Sequence, residues 1–372
     1  MSKKIVYVGL DVDDTQYHGA ALNKATGELF HFKCRPTLKG LSGQLTKVGK
    51  QFPRHVLQVV YEASYIGFTL QRDLTELGIH CEVVAPSSIP RQGGKAVKTD
   101  RIDAAQLAQF YASDLLTIVQ APELQVEQDR DLLRSRQRLM HQREQVRRHL
   151  QAILRRNGLH YKAETQHKSH WTKVHYSWLE RTIAAQPGSL KVNLELQYRQ
   201  LQDINRSLAE YNQQIEALAQ TERYQKPVQA LTCYKGIKTI FALTMITEIG
   251  DIQRFPHPRQ LVSWIGMDIR EYSSGGKHNR FGITKHGNRY LRTAFIEANQ
   301  RGYRTTRLSK DVRLRQAHYA PEYVEVATRC LRRLCKKGLR LRLAGKHPNK
   351  VKVACAREMV GFVWESLRLA AV

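Results

Sequence analysis

Ten residues near the amino terminus, IVYVGLDVDD from Ile5 to Asp14, constrain the fold more than any other stretch. The run from Ile5 to Leu10 is almost unbroken in β-branched, aromatic and aliphatic residues, which predicts a strand covered on both faces in the middle of a sheet. Asp11 follows it directly. At that point a central strand ends, and its last side chains project into the crevice beyond the strand ends. A charge there has to be compensated. The plainer reading, with Asp11 starting a turn that Asp13, Asp14 and Thr15 complete, stands beside the functional one.

Further strands follow in order. Gln16 to Leu22 and Glu28 to Cys34 read as two strands joined by a turn at Asn23–Gly27, and a helix is expected over about 39–51. His55 to Ser64 (HVLQVVYEAS) is a second buried run with an acid, Glu62, at its end. A helix from Ile66 to Leu77, stopped by Gly78, and a strand from His80 to Pro86 complete the series. Three strands, then helix, strand, helix, strand and helix predict an α/β sheet with crossover helices. The segment PSSIPRQGGKAVK, Pro86 to Lys98, is expected to be a mobile loop. It leads into KTDRIDAA, the start of a helix to about Ala112, on which Asp100 and Asp103 share a face. Acids in a first helical turn also answer the helix dipole, so capping is the competing reading.

Beyond residue 122 the pattern becomes helical. Residues 123 to about 157 repeat apolar positions at Leu132, Leu139, Val146, Leu150 and Ile153, and Leu194 to about Thr221 keeps the same rhythm. Together they predict an antiparallel coiled-coil hairpin. Its tip, His160 to Gly188, sets Tyr161, Trp171, His175, Tyr176 and Trp178 among lysines and histidines. Such a mixture either stacks bases or forms a small packed cap. From Pro227 a third unit is expected. Leu231 to Ile249 reads as a helix-hairpin-helix-like element whose turn, Gly236-Ile237-Lys238, lets backbone N–H groups and Lys238 meet a phosphate; a bare helical turn explains it too. A polar Gly-rich loop is expected from Arg270 to Gly282, a helix from near Asn288, and a basic helical tail to Val372.

Charge narrows the class of partner. The chain has 372 residues and a formal charge of +27. Residues 1–122 hold 14 Lys and Arg against 11 Asp and Glu, so +24 of that excess lies in the remainder. A near-neutral head on a strongly basic body points to nucleic acid. No run approaches the 18 apolar residues of a membrane span, and no signal-peptide core is seen, so an intracellular, cytoplasmic protein is expected. Six cysteines without a CxxC pair indicate neither zinc nor disulfides.

Two chemical constellations stand out. Asp11, Glu62, Asp100 and Asp103 fall on two strand ends and one helix start. If the strand order is ribonuclease-H-like, they converge, and four such carboxylates raise one another's pKa unless cations intervene. Hard oxygen ligands select Mg²⁺ or Mn²⁺, and two ions about 4 Å apart clamp the attacking and leaving oxygens of a phosphodiester. The second constellation is Ser273-Ser274-Gly275-Gly276-Lys277. Its glycines admit a phosphate to the backbone, Lys277, Arg280, Lys285 and Arg289 can neutralise it, and a hydroxyl is left as nucleophile. A plain flexible loop is the alternative.

The ordered set GLDV, YEAS, KTDRIDA, GIKTIFALTMITEIGDIQRF, LVSWIGM and EYSSGGKHNRFGITKHGNRYLR resembles the DEDD insertion-sequence transposases, the "one-ten" family of bridge-RNA-guided recombinases, over residues 5–112 and 228–370. The resemblance implies three domains: a RuvC-like (ribonuclease-H-like) domain at 1–122, a coiled-coil hairpin at 123–226 and a helical transposase domain at 227–372. It implies metal ligands at Asp11, Glu62, Asp100 and Asp103 and a serine that joins covalently to DNA, placed at Ser274 with Ser273 as its neighbour and rival. It further implies a composite site in which one subunit's serine loop meets another's acids, and dimers or tetramers on a structured guide RNA that pairs with target and donor DNA, all on the nucleoid. The hairpin tip and basic tail are generous for that pattern. Three other readings are a RuvC-like junction-resolving nuclease without a covalent intermediate, a basic RNA-binding scaffold whose acids are caps, and an actin-like ATPase, which lacks its second Gly-rich phosphate loop.

Overall fold

A computed structural model describes residues 4–86, 89–90, 100–274, 277–300 and 302–371. The side chains of Asp100, Arg101, Ser273, Ser274, Lys277, His278 and Arg280 lie outside that description, as does most of the expected loop at 86–98. The chain divides into two compact units, Met1–Glu123 and Leu124–Val372.

In the first unit a six-stranded sheet forms from β1 (Lys4–Val12), β2 (Tyr17–Asn23), β3 (Leu29–Cys34), β4 (His55–Glu62), β5 (His80–Val84) and β6 (Ile118–Val119). Its order is β3-β2-β1-β4-β5-β6, with β1 to β3 antiparallel and β4 and β5 parallel to β1. The apolar run of β1 therefore lies inside the sheet. Val6, Val8 and Leu10 are fully buried on one face, in a core shared with Leu41, Leu45 and Val48 of α1 (Leu38–Gln51) and Leu70 and Leu74 of α2 (Thr69–Glu76). Thr37 caps α1 by accepting from Gly40 N at 3.1 Å. The other face carries α3 (Asp100–Ala112). Gly9 makes that possible, because a Cβ there would sit 2.2 Å from the Ala104 carbonyl oxygen. The Asn23–Gly27 turn is closed by Gly27 N donating to Asn23 O at 2.9 Å.

The second unit opens with α4 (Leu124–Arg156), followed by α5 (Tyr161–Thr165), α6 (Lys173–Ala184) and α7 (Gly188–Ala219). α4 and α7 run antiparallel. Arg136 bonds Asn212 at 2.7 Å near one end, and Leu150 and Ile153 share a core with Leu194 and Leu201 near the other. α7 starts six residues earlier than its apolar rhythm, because Pro187 sets the extended residue before it. The remaining helices are α8 (Glu222–Thr232), α9 (Thr239–Ile249), α10 (Pro258–Ile265), α11 (Arg289–Ala298), α12 (Lys310–Gln316), α13 (Pro321–Leu343) and α14 (Pro348–Ala370). All of these but α12 share one core with Leu133 of α4 and Ile215 and Ala219 of α7. The basic tail contributes to that core: Val351, Cys355, Val360 and Val363 of α14 are fully buried.

One expectation is corrected. The segment read as a loop is a β-hairpin, β7 (Ile269–Ser274) and β8 (Lys277–Ile283), paired from Ile269 opposite Ile283 to Ser274 opposite Lys277. All six cysteines are free thiols, and five are buried. Among the described residues no helix is long and apolar enough to cross a membrane.

Candidate catalytic acids and the serine hairpin

Strand register places the first two acids. Leu10 pairs with Tyr61 across the parallel β1/β4 ladder, so Asp11 and Glu62 occupy the next positions on adjacent strands. Side chains alternate along a strand, so Asp11 shares the face of Tyr7 and Gly9, and Glu62 that of Val60. That is the face under α3, where Ala104 sits on Gly9 and Val60 packs with Leu107 and Tyr111. The helix direction follows from two contacts at its far end. Tyr111 meets the Tyr7 ring at 5.5 Å, and Lys24 Nζ donates to Ala112 O at 2.6 Å. α3 thus runs against β1, and its first turn, with Asp100 and Asp103, lies toward the strand ends that carry Asp11 and Glu62. Asp11 and Asp103 are half-buried and Glu62 is exposed.

Among the described residues no three acid, His or Cys side chains form a metal cage, and the Asp100 side chain lies outside them. The donor set fits a hard divalent ion: it is carboxylate oxygen throughout, on strand ends and a helix start in one corner. Asp13 behaves differently. Its carboxylate accepts from Thr15 N at 2.9 Å and Thr15 Oγ1 at 2.7 Å, which holds its pKa below the usual range, so it is a turn residue.

Ser273, Ser274, Lys277 and Arg280 lie on the β7–β8 hairpin, and their side chains are outside the described residues, as are Gly275 and Gly276 entirely. The base of the hairpin is described in full. Thr284 N donates to Asp268 O at 2.8 Å and Lys285 N to Gly266 O at 2.9 Å. Two glycines allow this approach: a Cβ at Gly266 (φ 77°) would lie 2.2 Å from His286 O, and one at Gly287 (φ 130°) 2.1 Å from Trp264 O. Arg292 then clamps Ile265 O at 2.8 Å and Gly287 O at 2.9 Å. Lys285 and Arg289 are exposed beside this base, at the start of α11, which has no acid in its first turn. Lys238 is exposed at the cap of α9. Gly236 has a packing reason of its own, since a Cβ there would strike Ala298 O at 1.9 Å.

Sequence reasoning missed Glu248. It is 2 % exposed at the end of α9, where a negative charge opposes the helix dipole, and that misfit was its one visible signal. Arg134 of α4 answers it bidentately, at 2.7 and 2.9 Å, and Asn288 Nδ2 donates to it at 2.6 Å. Asn288 Oδ1 meanwhile caps α11 by accepting from Tyr290 N at 2.9 Å and Leu291 N at 3.1 Å. Arg130 adds a 3.8 Å ion pair and two bonds to Thr247 O. Burial works against the charge of Arg134, but the bonds and charge of Glu248 outweigh it and leave its pKa raised. The Tyr290 ring lies between Arg134 and Arg289, 4.8 and 4.9 Å from their guanidinium carbons. One carboxylate thus joins α4, α9 and the segment that follows the serine hairpin.

Comparison with known proteins identifies the family. Residues 228–314 match the family described as "Transposase IS116/IS110/IS902 family", and residues 8–157 match a DEDD domain described as "Transposase". A putative transposase of Sinorhizobium fredii, y4qE, is 33% identical over 310 residues, covering 83% of this chain and 75% of that protein. The transposase for insertion sequence element IS1533 of Leptospira borgpetersenii is 28% identical over 260 residues, 69% of this chain and 73% of that protein. That for IS1111A of Coxiella burnetii is 27% identical over 229 residues, 60% of each. The chain, with acids where its central strands end and a serine hairpin in its helical unit, belongs to the IS116/IS110/IS902 family of transposases.

Proposed function

We propose that this transposase is an RNA-guided recombinase that cuts and rejoins DNA through Asp11, Glu62, Asp100 and Asp103 and a serine nucleophile, Ser274. The observation that carries the reading is the register of β1 and β4, which sets Asp11 beside Glu62 on the face under α3. The β3-β2-β1-β4-β5 order supports a ribonuclease-H-like domain over 1–122, and the antiparallel α4/α7 pair supports a coiled-coil hairpin within 123–226, ahead of a transposase domain at 227–372. The four acids would hold Mg²⁺ or Mn²⁺, which would supply positive charge to the scissile phosphate. The serine Oγ attacks phosphorus, the bond to the departing strand breaks, and the serine proton ends on the departing oxygen. A hydroxyl of the incoming strand later displaces the serine and restores it, so no energy source is needed.

Lys277, Arg280, Lys285 and Arg289 neutralise the phosphate, with Lys238 on a neighbouring backbone. The basic second unit holds nucleic-acid backbone while a structured guide RNA reads target and donor sequence by pairing. Two or more subunits assemble, one giving the serine hairpin and another the acids.

The test is covalent trapping. Wild-type protein with its RNA, DNA and Mg²⁺ should give a protein–DNA adduct on a denaturing gel, and Ser274→Ala should give none. An adduct lost in Ser273→Ala and kept in Ser274→Ala moves the nucleophile by one residue. Metal-dependent cleavage with no adduct in wild type leaves a junction-resolving nuclease instead. RNA copurifying with the protein, once sequenced, tests guidance: a single structured species is expected.

A further inference from the structure

Two groups of aromatic rings in the second unit are disposed in opposite ways. At the tip of the α4/α7 pair Tyr161, His175 and Trp178 are 3, 1 and 4 % exposed, with Tyr161–His175 centroids at 4.5 Å and Tyr161–Trp178 at 5.3 Å. Of the two readings of that stretch the packed cap is what forms, and those faces are spent on each other. On the serine hairpin the rings are turned outward. Tyr272 of β7 is 74 % and Phe281 of β8 53 % exposed, and neither belongs to the core of the second unit.

Strand register sets both rings on one face of the ribbon. Tyr272 stands opposite Asn279, and Phe281 is two positions on from Asn279 along β8. A contact gives the same face from the β7 side, because the Arg270 guanidinium lies 5.2 Å from the Phe281 ring centre and Arg270 is two positions before Tyr272. By the same alternation position 274 is next, roughly 6.8 Å beyond Tyr272 at twice the rise of a strand residue. Charge indicates what covers these rings. Residues 269–289 hold five Lys and Arg against one acid, and Arg270, Lys285 and Arg289 are exposed. Rings set among cations suit a strand with unpaired bases, which stack on the rings while the cations follow the backbone.

We propose that Tyr272 and the Arg270–Phe281 pair form a stacking platform for unpaired DNA bases, which seats the nucleotides beside the phosphate that Ser274 attacks. The placement of the strand rests on the serine reading above. A base inside a duplex has both faces covered by its neighbours, so the platform takes DNA only where the strands have parted. Stacking is tolerant of sequence, because every base has such a face. The platform therefore holds the strand at the cut and leaves the choice of site to other parts.

The probe is a short single-stranded DNA carrying one iodouracil, irradiated on the full-length chain, with the linked peptide located by mass spectrometry. Links should map to Tyr272 or Phe281, and Ser274→Ala should keep them, so this result is separable from the identity of the nucleophile. In anisotropy with the same strand at about 200 mM salt, where binding through phosphates alone is weak, Tyr272→Leu should lose roughly five- to hundredfold in affinity, the share of one stacked base. Tyr272→Phe keeps the ring and should bind as wild type does. The same sequence as a duplex should bind to all three proteins alike. Links found only outside the ribbon, or equal affinities of wild type and Tyr272→Leu for the single strand, overturn the proposal. So does a loss confined to RNA of the same sequence, which would give the ribbon to a guide. A fall in the oligomer mass of Tyr272→Leu with strand binding unchanged also overturns it, since the rings then join two copies of the chain.

Discussion

Glu248 is stable in its place only as one member of a set. Removing it strands Arg130, 15 % exposed, and leaves Arg134, 31 % exposed, partly answered by solvent, so the loss should reach at most the about 3–5 kcal/mol of a fully buried ion pair broken from one side. Glu248→Ala should lower the urea midpoint of the second unit accordingly, and Arg134→Ala/Glu248→Ala should cost less than the two single changes summed. Purely additive effects would show that the side chains do not act together. Gly9→Ala tests the other unit. A methyl aimed at the Ala104 carbonyl must lift α3, at a cost of about 1–3 kcal/mol, and metal-dependent cleavage should fall further than nucleic-acid binding because Asp103 moves with the helix. Equal losses of both would mean that the helix position does not matter to the acids. The strand-end acids were readable because a carboxylate closing an apolar run is locally odd. Glu248 was not, since its partners stand 114 and 40 positions away and its own helix, TIFALTMITEI, reads as ordinary core.

At the level of elements, the same contrast separates β1 from the β7–β8 hairpin. β1 announces itself because both its faces are buried. The described side chains of the hairpin are not buried, with Tyr272 74 % and Phe281 53 % exposed, and the backbone ladder defines it. The cap formed by α5 and α6 was half-legible, as a cluster of rings whose use composition could not decide. Its centre is tied to pH. His175 Nδ1 accepts from Trp171 N at 3.1 Å, and burial, then His170 and Arg147, push its pKa down to about 4. With an unfolded value near 6.5, the unfolded chain binds the proton first as pH falls. The cap should therefore be fully stable above about pH 6.5 and lose on the order of 3 kcal/mol on the way down through pH 4. Tryptophan fluorescence in a variant lacking Trp264 and Trp364 would follow it through Trp171 and Trp178, and a flat trace across that window would contradict the assignment.

For the whole molecule, the division of charge between the two units governs how it meets nucleic acid. Contacts to 6–10 phosphates would make affinity for nonspecific duplex DNA fall about 10³- to 10⁵-fold between 50 and 200 mM salt. A shallow salt slope would mean that the +24 of residues 123–372 mostly serves solubility. That asymmetry was legible from counting alone; which helices present it was not, because α13 and α14 of the basic tail also supply part of the second unit's buried core.

Among the described residues the two-stranded sheet that carries Ser274 has no third strand. A solitary ribbon of this kind is marginal in water, so its working shape is conferred by whatever it comes to lie against. Under the proposed chemistry, a stray copy of this enzyme is consequently harmless to its host's chromosome. On that reading the serine would be positioned only once strands and subunits have gathered, and the insertion sequence would spare its host's genome between jumps.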